Sequence, residues 1–325
     1  MALQQFVCCV TVLITFFCKG CHLDQPACGS RAVNSSSITG AHDAAPGSWP
    51  WFADINLFVG GSKFFFGGSL INDQWVLTTA YVPTFYPSAS ISMVVYLGRN
   101  SHSGPSPNEV NRTVVNITCH PGFNSSTREN DICLLKLSAP VNFTDYIQPI
   151  CLASQNSTFN NESSSWTIGF NFIVISNNLQ EAKVPIVGNS ECKARYPGIT
   201  DSIICTGETA SCLLSLGAPL MTQSGSVWLQ SGLLIVVGCS ARPSTSESPS
   251  VYTAVSQYQK WISDTVTFPS PHSSLQTTAP PTAPTTSPTC VGVYCSGENL
   301  IHFTHFTSLC VLIVLLHVFA ATVGN

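Results

Sequence analysis

Few side chains of this 325-residue chain could take part in chemistry, and their spacing alone does not define a reaction. Asp131 lies just before an apolar run, and Ser215 lies two residues before Gly217. His102 and His120 lie in segments rich in Gly, Pro, Ser and Asn, which predicts surface loops. No spacing of His, Cys, Asp and Glu predicts a metal site, and no cofactor is expected.

The charge pattern gives no sign of a nucleic-acid partner. Charged residues are 9% of the chain and the net charge is −4. No basic stretch gathers the charge that phosphate groups require, so nucleic-acid binding is excluded. The isolated Lys and Arg residues are interpreted as ordinary solvated side chains.

Both ends of the chain predict processing signals. The uncharged apolar run Phe6–Phe17 is typical of a signal peptide, which we place at residues 1–20. The apolar run Leu309–Val323 has no Lys or Arg after it. With the small residues Ser296 and Gly297 upstream, it predicts a glycosylphosphatidylinositol signal with the lipid on Ser296. A single-pass transmembrane helix remains the alternative.

Sequons and cysteines also predict an exported, extracellular protein. Many of the 15 cysteines can serve a structural purpose only in an oxidising compartment. Seven Asn-x-Ser/Thr sequons favour a surface that meets the glycosylation machinery. The predicted glycosylation sites are Asn34, Asn111, Asn116, Asn124, Asn142, Asn156 and Asn161.

Between the two ends, one segment is predicted to fold and another to remain extended. Residues 267–289 are rich in Ser, Thr and Pro, which predicts a stalk. From Cys28 to Val266, short apolar runs alternate with Gly, Pro, Asn and Ser clusters, which predicts an all-β sandwich or barrel. Within Tyr252 to Val266 the spacing predicts one amphipathic helix, with Val255, Tyr258, Trp261 and Ile262 on its apolar side.

The order and spacing of motifs in this region resemble the trypsin-like serine proteases, especially their membrane-anchored, tryptase-like members. The resemblance implies two six-stranded antiparallel β-barrels, a C-terminal α-helix and a cleft between the barrels. It divides the chain into a signal peptide (1–20), a propeptide-like segment (21–37), a protease homology domain (38–266), the stalk (267–289) and a C-terminal segment (290–325). The matching motifs are Ile38–Ala41, Gly47–Trp51, Phe66–Ile71, Trp75–Ala80, Asn130–Ile132, Ile150–Leu152, Gly217–Leu220 and Val251–Thr253.

The resemblance places Tyr81, Asp131 and Leu216 at the positions of the catalytic His, Asp and Ser. A phenol with a pKa near 10 cannot act as a base at neutral pH, and leucine has no nucleophilic atom. Ser215 cannot replace the nucleophile by a shift of register, because it is one position out of step with both Cys212 and Pro219. Asp131 is expected to be a buried, hydrogen-bonded structural acid.

Other parts of the machinery depart from the family as well. Leu214 stands where the oxyanion hole has Gly, and Ala210 stands at the floor of the specificity pocket. Ser37 precedes Ile38, so a trypsin-type activator has no basic residue to recognise. Ser215 also replaces the acid that would pair with the new N-terminus, so the chain is expected to remain uncut.

The resemblance also implies disulfide pairs. Cys28 is expected to pair with Cys151, Cys192 with Cys205, and Cys212 with Cys239. Cys119 and Cys133 fall on neighbouring segments of such a fold and predict a fourth bridge. Cys290 and Cys295 are candidates for a small loop, and Cys21 is unassigned.

These observations favour a pseudoprotease, not an enzyme, displayed at the cell surface through its C-terminal anchor. The expected partner is an extracellular protein: a protease, an inhibitor or a matrix protein. An active serine endopeptidase and a structural or adhesive glycoprotein are the alternative hypotheses.

Overall fold

The structure is a computed structural model. It describes residues 28–32, 41–85, 91–104, 106–157, 159, 165–170, 177–198, 200, 202–207, 215–238, 249–266 and 294–295. The predicted signal peptide and stalk, together with Asn34, Asn161 and Ser296, lie outside these residues.

The first half of the folded region is a closed six-stranded barrel. Gly60 and Gly61, both at positive φ, form the two-residue turn of its first hairpin. Alternate residues of one strand, Met93, Val95 and Leu97, are buried in the core. After a short strand β1 (Ala41–Asp43), the barrel strands are β2 (Phe52–Val59), β3 (Ser62–Leu70), β4 (Trp75–Thr78), β5 (Ile91–Leu97), β6 (Val110–Cys119) and β7 (Cys133–Leu137), paired in the order β2-β3-β4-β7-β6-β5.

The second half is a half-barrel sheet with the order β1-β10-β9-β13-β14-β15-β12-β11. Two strands lie off this path: β8 pairs in parallel with both β14 and β16. The predicted all-β, trypsin-like fold class is thus confirmed, although among the described residues only the first barrel closes. The strands are β8 (Cys151–Ala153), β9 (Ser165–Phe170), β10 (Leu179–Val184), β11 (Ile186–Val187), β12 (Ile203–Thr206), β13 (Pro219–Ser224), β14 (Val227–Val236), β15 (Ser250–Ala254) and β16 (Tyr294–Cys295).

The terminal helix is shorter than the spacing predicted. Helices α1 (Tyr81–Phe85) and α2 (Asn189–Arg195) precede it, and α3 spans only Gln259–Thr265 after a 3₁₀ turn at Val255–Tyr258. Tyr252 instead lies in β15, where it faces Ile204 on one side and Leu234 on the other. Hydrogen bonding to two neighbouring strands outweighs the local helical pattern there. No helix within the described ranges is long and apolar enough to cross a bilayer.

Three disulfides cross-link the described part of the chain. They join Cys28 to Cys151, Cys119 to Cys133, and Cys192 to Cys205. Cys119 and Cys133 are direct partners in the β6–β7 ladder, which explains why two neighbouring strands can carry this additional bridge. The expected pair Cys212–Cys239 lies outside the described residues.

A tight turn from the second half packs against strands of the first barrel. In the turn Ser215–Ala218, the backbone N–H of Ala218 donates to the carbonyl of Ser215, and Gly217 has a φ of +84°. A positive φ at the third residue is the signature of a type II turn. A side chain on Gly217 would collide with the carbonyl of Gly67 and the hydroxyl of Thr78. Glycine therefore fits this position both conformationally and sterically.

Candidate active site

Asp131 is the centre of the polar cluster in the expected cleft. Its side chain is fully buried. One carboxylate oxygen accepts hydrogen bonds from the Thr79 hydroxyl at 2.5 Å and from the backbone N–H of Tyr81 at 2.8 Å. The other oxygen lies 3.2 Å from Nη1 of Arg128. The backbone carbonyl of Asp131 also accepts a hydrogen bond from Thr253 at 3.0 Å, which ties the loop to β15.

Arg128 is the residue of this cluster that the sequence analysis missed, since it counted isolated arginines as solvated. Its guanidinium pairs with Asp131 and stacks on the ring of Tyr81, with 3.2 Å between its central carbon and the ring centroid. The backbone of Arg128 has a φ of +60°, which is uncommon for a residue with a side chain. Arg128 lies three residues before Asp131 in the sequence, which was a signal that the two side chains could pair. The backbone conformation that turns Arg128 toward Asp131 leaves no signal in the sequence.

Asn130 holds the turn between these two residues. Its φ is +54°, a conformation that asparagine adopts more readily than most residues. The hydroxyl of Tyr258 donates to Oδ1 of Asn130 at 3.1 Å. Burial raises the pKa of Tyr258, so its phenol remains protonated and able to donate. The terminal 3₁₀ turn thereby stabilises the loop that carries Asp131.

Tyr81 occupies the expected position of the catalytic base at the start of α1. The structure brings Tyr81 and Asp131 together, but through the tyrosine's backbone N–H rather than through an imidazole. The ring of Tyr81 stacks under the guanidinium of Arg128, so a phenol and a guanidinium lie beside Asp131.

The two histidines considered as loop residues have other partners. His102 is not an exposed loop residue: its Nε2 lies 2.9 Å from Oδ2 of the buried Asp54, and its ring stacks on Phe170 at 3.7 Å. His120 contacts the rings of Tyr258 and Trp261. Burial against this surface lowers the pKa of His120.

The nucleophile position lies in the tight turn of Ser215–Ala218. Leu216 is half-buried, and its carbonyl accepts a hydrogen bond of 2.8 Å from the backbone N–H of Gly67. Ser215 is only 3% exposed. Its Oγ accepts a hydrogen bond of 3.0 Å from the backbone N–H of Phe170 and lies against Gly169. The hydroxyl of Ser215 is therefore directed into the second half of the fold.

A groove of about 350 Å³ adjoins this cluster. Arg128 and Glu129 line one part of it, and Arg195 and Tyr196 line another. Val236, at the end of β14, supplies part of an apolar wall together with Ile235 and Val251, and it packs against the small core to which those two residues belong. Leu214 and Ala210, expected at the oxyanion hole and the pocket floor, lie outside the described residues.

The cluster can hold charge and hydrogen bonds, and it contains no group of His, Cys, Asp and Glu side chains suited to a metal ion within the described residues. At the three positions that the sequence resemblance assigned to the catalytic residues, the side chains are a phenol, a carboxylate and an aliphatic group.

Comparisons with known proteins agree with this architecture. The sequence model of the Trypsin family matches residues 38–262. A solved structure described as "Structure of GrC" is similar, with a TM-score of 0.60 and 26% sequence identity, over 70% of this chain and 99% of that chain. Because 834 solved chains match, the likeness identifies a widely shared fold rather than one activity. This chain belongs to the trypsin family, with its trypsin-like serine protease domain at residues 38–262.

Proposed function

We propose that this chain is a catalytically inactive member of the trypsin family that is displayed at the cell surface and binds another protein. The proposal rests on the register of the sequence motifs, which assigns Tyr81 and Leu216 to the positions of the family's base and nucleophile. Peptide hydrolysis in this family needs a hydroxyl to attack and an imidazole to take its proton. In a related enzyme, losing either residue costs about 10⁶ in rate.

The bonding of Asp131 supports the same proposal. In the active family the acid orients the imidazole. Here the carboxylate is bonded to Thr79, to the backbone of Tyr81 and to Arg128. These contacts use both oxygens of Asp131 to hold the loop and the start of α1. The acid thus has a structural role that does not require catalysis.

Ser215 offers no alternative nucleophile. Its hydroxyl is buried and bonded to the backbone N–H of Phe170, so an attack from this oxygen would require the turn to reverse. Ser215 also takes the place of the acid that pairs with a new N-terminus after activation. An ammonium buried beside a neutral hydroxyl would cost several kcal/mol, which supports a chain that works uncut.

A binding role is supported by the groove of this chain. The two halves pack together through the bond from Gly67 to Leu216, and a groove lies beside Arg128. The groove combines guanidinium, carboxylate, aromatic and aliphatic side chains, a mixture suited to a protein segment. We infer an extracellular protein partner, namely a protease, an inhibitor or a matrix protein.

Surface display is supported by the sequons. The five that fall in the described residues have exposed asparagines: Asn111, Asn116, Asn124, Asn142 and Asn156. Exposure is what glycosylation requires.

The predicted stalk would hold the domain away from the membrane, with the lipid anchor on Ser296. Phosphatidylinositol-specific phospholipase should release the chain from intact cells, and retention in the membrane fraction would contradict a lipid anchor.

The structural role of Asp131 predicts a loss of stability on its removal. Asp131→Ala leaves the Thr79 hydroxyl, the Tyr81 N–H and the Arg128 guanidinium without their buried acceptor. We expect the free energy of unfolding to fall by about 3 kcal/mol. Urea denaturation of the secreted ectodomain measures this change.

The matched control is Asp264→Ala, which removes the exposed i,i+4 partner of Lys260. Exposed pairs contribute little, so a change of at most about 0.5 kcal/mol is expected. If Asp131→Ala costs no more than Asp264→Ala, the structural role assigned to Asp131 is wrong.

The binding role predicts that a charge placed in the groove abolishes partner capture. Val236→Asp introduces a carboxylate into the apolar wall, and we expect at least a ten-fold loss of the protein recovered by the ectodomain from cell surfaces. Val115→Asp makes the same substitution at an exposed site on β6 and should leave capture unchanged. Thermal unfolding verifies that both variants are folded. Recovery of no specific partner by the wild type, or equal capture by both folded variants, counts against the proposal.

A further inference from the structure

A second groove lies on the outer face of the first barrel, on strands β2, β5 and β6. Its volume is about 690 Å³. Four large hydrophobic side chains are exposed among the described residues, and two of them, Phe58 and Val115, line this groove. Their exposed fractions are 36% and 60%. The groove is also lined by Ile91, Val114, Asn116 and Ile117.

A β-bulge directs the asparagine of one sequon toward solvent at this groove. In the ladder between β6 and β7, Val114 is opposite Leu137 and Asn116 is opposite Lys136, so Val115 is the extra residue. Burial alternates along β6 up to this point, and then Val115 and Asn116 are both exposed. A bulge re-aims the side chains that follow it. Strict alternation would have turned Asn116 inward.

The chemistry of the lining indicates what could cover the groove. None of its lining residues is charged, and its polar groups are the hydroxyls of Ser92 and Thr113 and the amide of Asn116. The amide nitrogen of Asn116 lies 3.4 Å from the hydroxyl of Thr118, the third residue of its sequon. A pyranose ring presents C–H groups on one face and hydroxyls at its edge, so it can cover aliphatic side chains and remain hydrated.

We propose that Asn116 is a glycosylation site with a structural purpose: its N-linked glycan lies along this groove and covers Phe58 and Val115. The proposal rests on the export argued above. Asn111 provides a natural comparison, because it is exposed on the same strand within a sequon but does not line the groove.

Two variants of the secreted ectodomain test the proposal, Asn116→Gln and Asn111→Gln. Peptide masses after amidase release, which converts a glycosylated Asn to Asp, report the occupancy of each site. We expect Asn116→Gln to bind an apolar-surface dye several-fold more than the wild type and to self-associate in light scattering. Asn111→Gln should match the wild type. Adding Val115→Ser to Asn116→Gln should reduce the dye signal again.

If Asn116→Gln is not secreted, folded wild-type protein can be treated with an endoglycosidase that leaves one sugar, and compared with amidase-treated protein. Dye binding should then rise after amidase treatment. An occupied Asn116 whose removal leaves dye binding and association unchanged overturns the proposal, as does an unoccupied Asn116 beside an occupied Asn111. Self-association of the fully glycosylated protein through this groove would also overturn it, in favour of a second copy. If no sequon carries sugar, export itself is contradicted and the cell-surface part of the proposed function is wrong.

Discussion

The buried carboxylate of Asp131 constrains the middle of this molecule. A charge in the interior persists only when it is paired and hydrogen-bonded. This requirement is met by Thr79, by the backbone N–H of Tyr81 and by Arg128. The same contacts fix the start of α1 and the loop that leads from Arg128 to Asp131. The buried carboxylate of Asp131 is therefore paired and hydrogen-bonded without an imidazole.

The packing between the two halves is equally independent of the side chains that catalysis would use. The bond from Gly67 to Leu216 joins backbone atoms, and the turn at Gly217 depends on the absence of a side chain. A leucine can follow Ser215 without disturbing either contact. Under the proposed function, this separation of fold from chemistry explains how the scaffold of a protease family can persist while its reacting groups change.

Most of the fold could be predicted from the sequence, because motifs such as Trp75–Ala80 and Gly217–Leu220 fix its strands and turns. The same register assigned Tyr81, Asp131 and Leu216 to the catalytic positions, and that assignment stays a prediction. Three features could not be predicted. Arg128 turns inward through a positive φ, which leaves no mark in residue type. His102 pairs with Asp54 across 48 positions of sequence, a contact created by the barrel's closure. The helix boundary after Tyr252 depends on strand pairing, which overrides local periodicity.

The proposed loss of catalysis is tested most directly by reaction with a fluorophosphonate probe, because an activated serine displaces the fluoride of the probe and keeps the phosphonyl group as a covalent adduct. Purified ectodomain and an active trypsin-family protease are treated in parallel, and intact mass is measured. The account predicts that the protease gains the adduct and that the ectodomain keeps its mass. An adduct mapped to a serine of the ectodomain, Ser215 included, would contradict it.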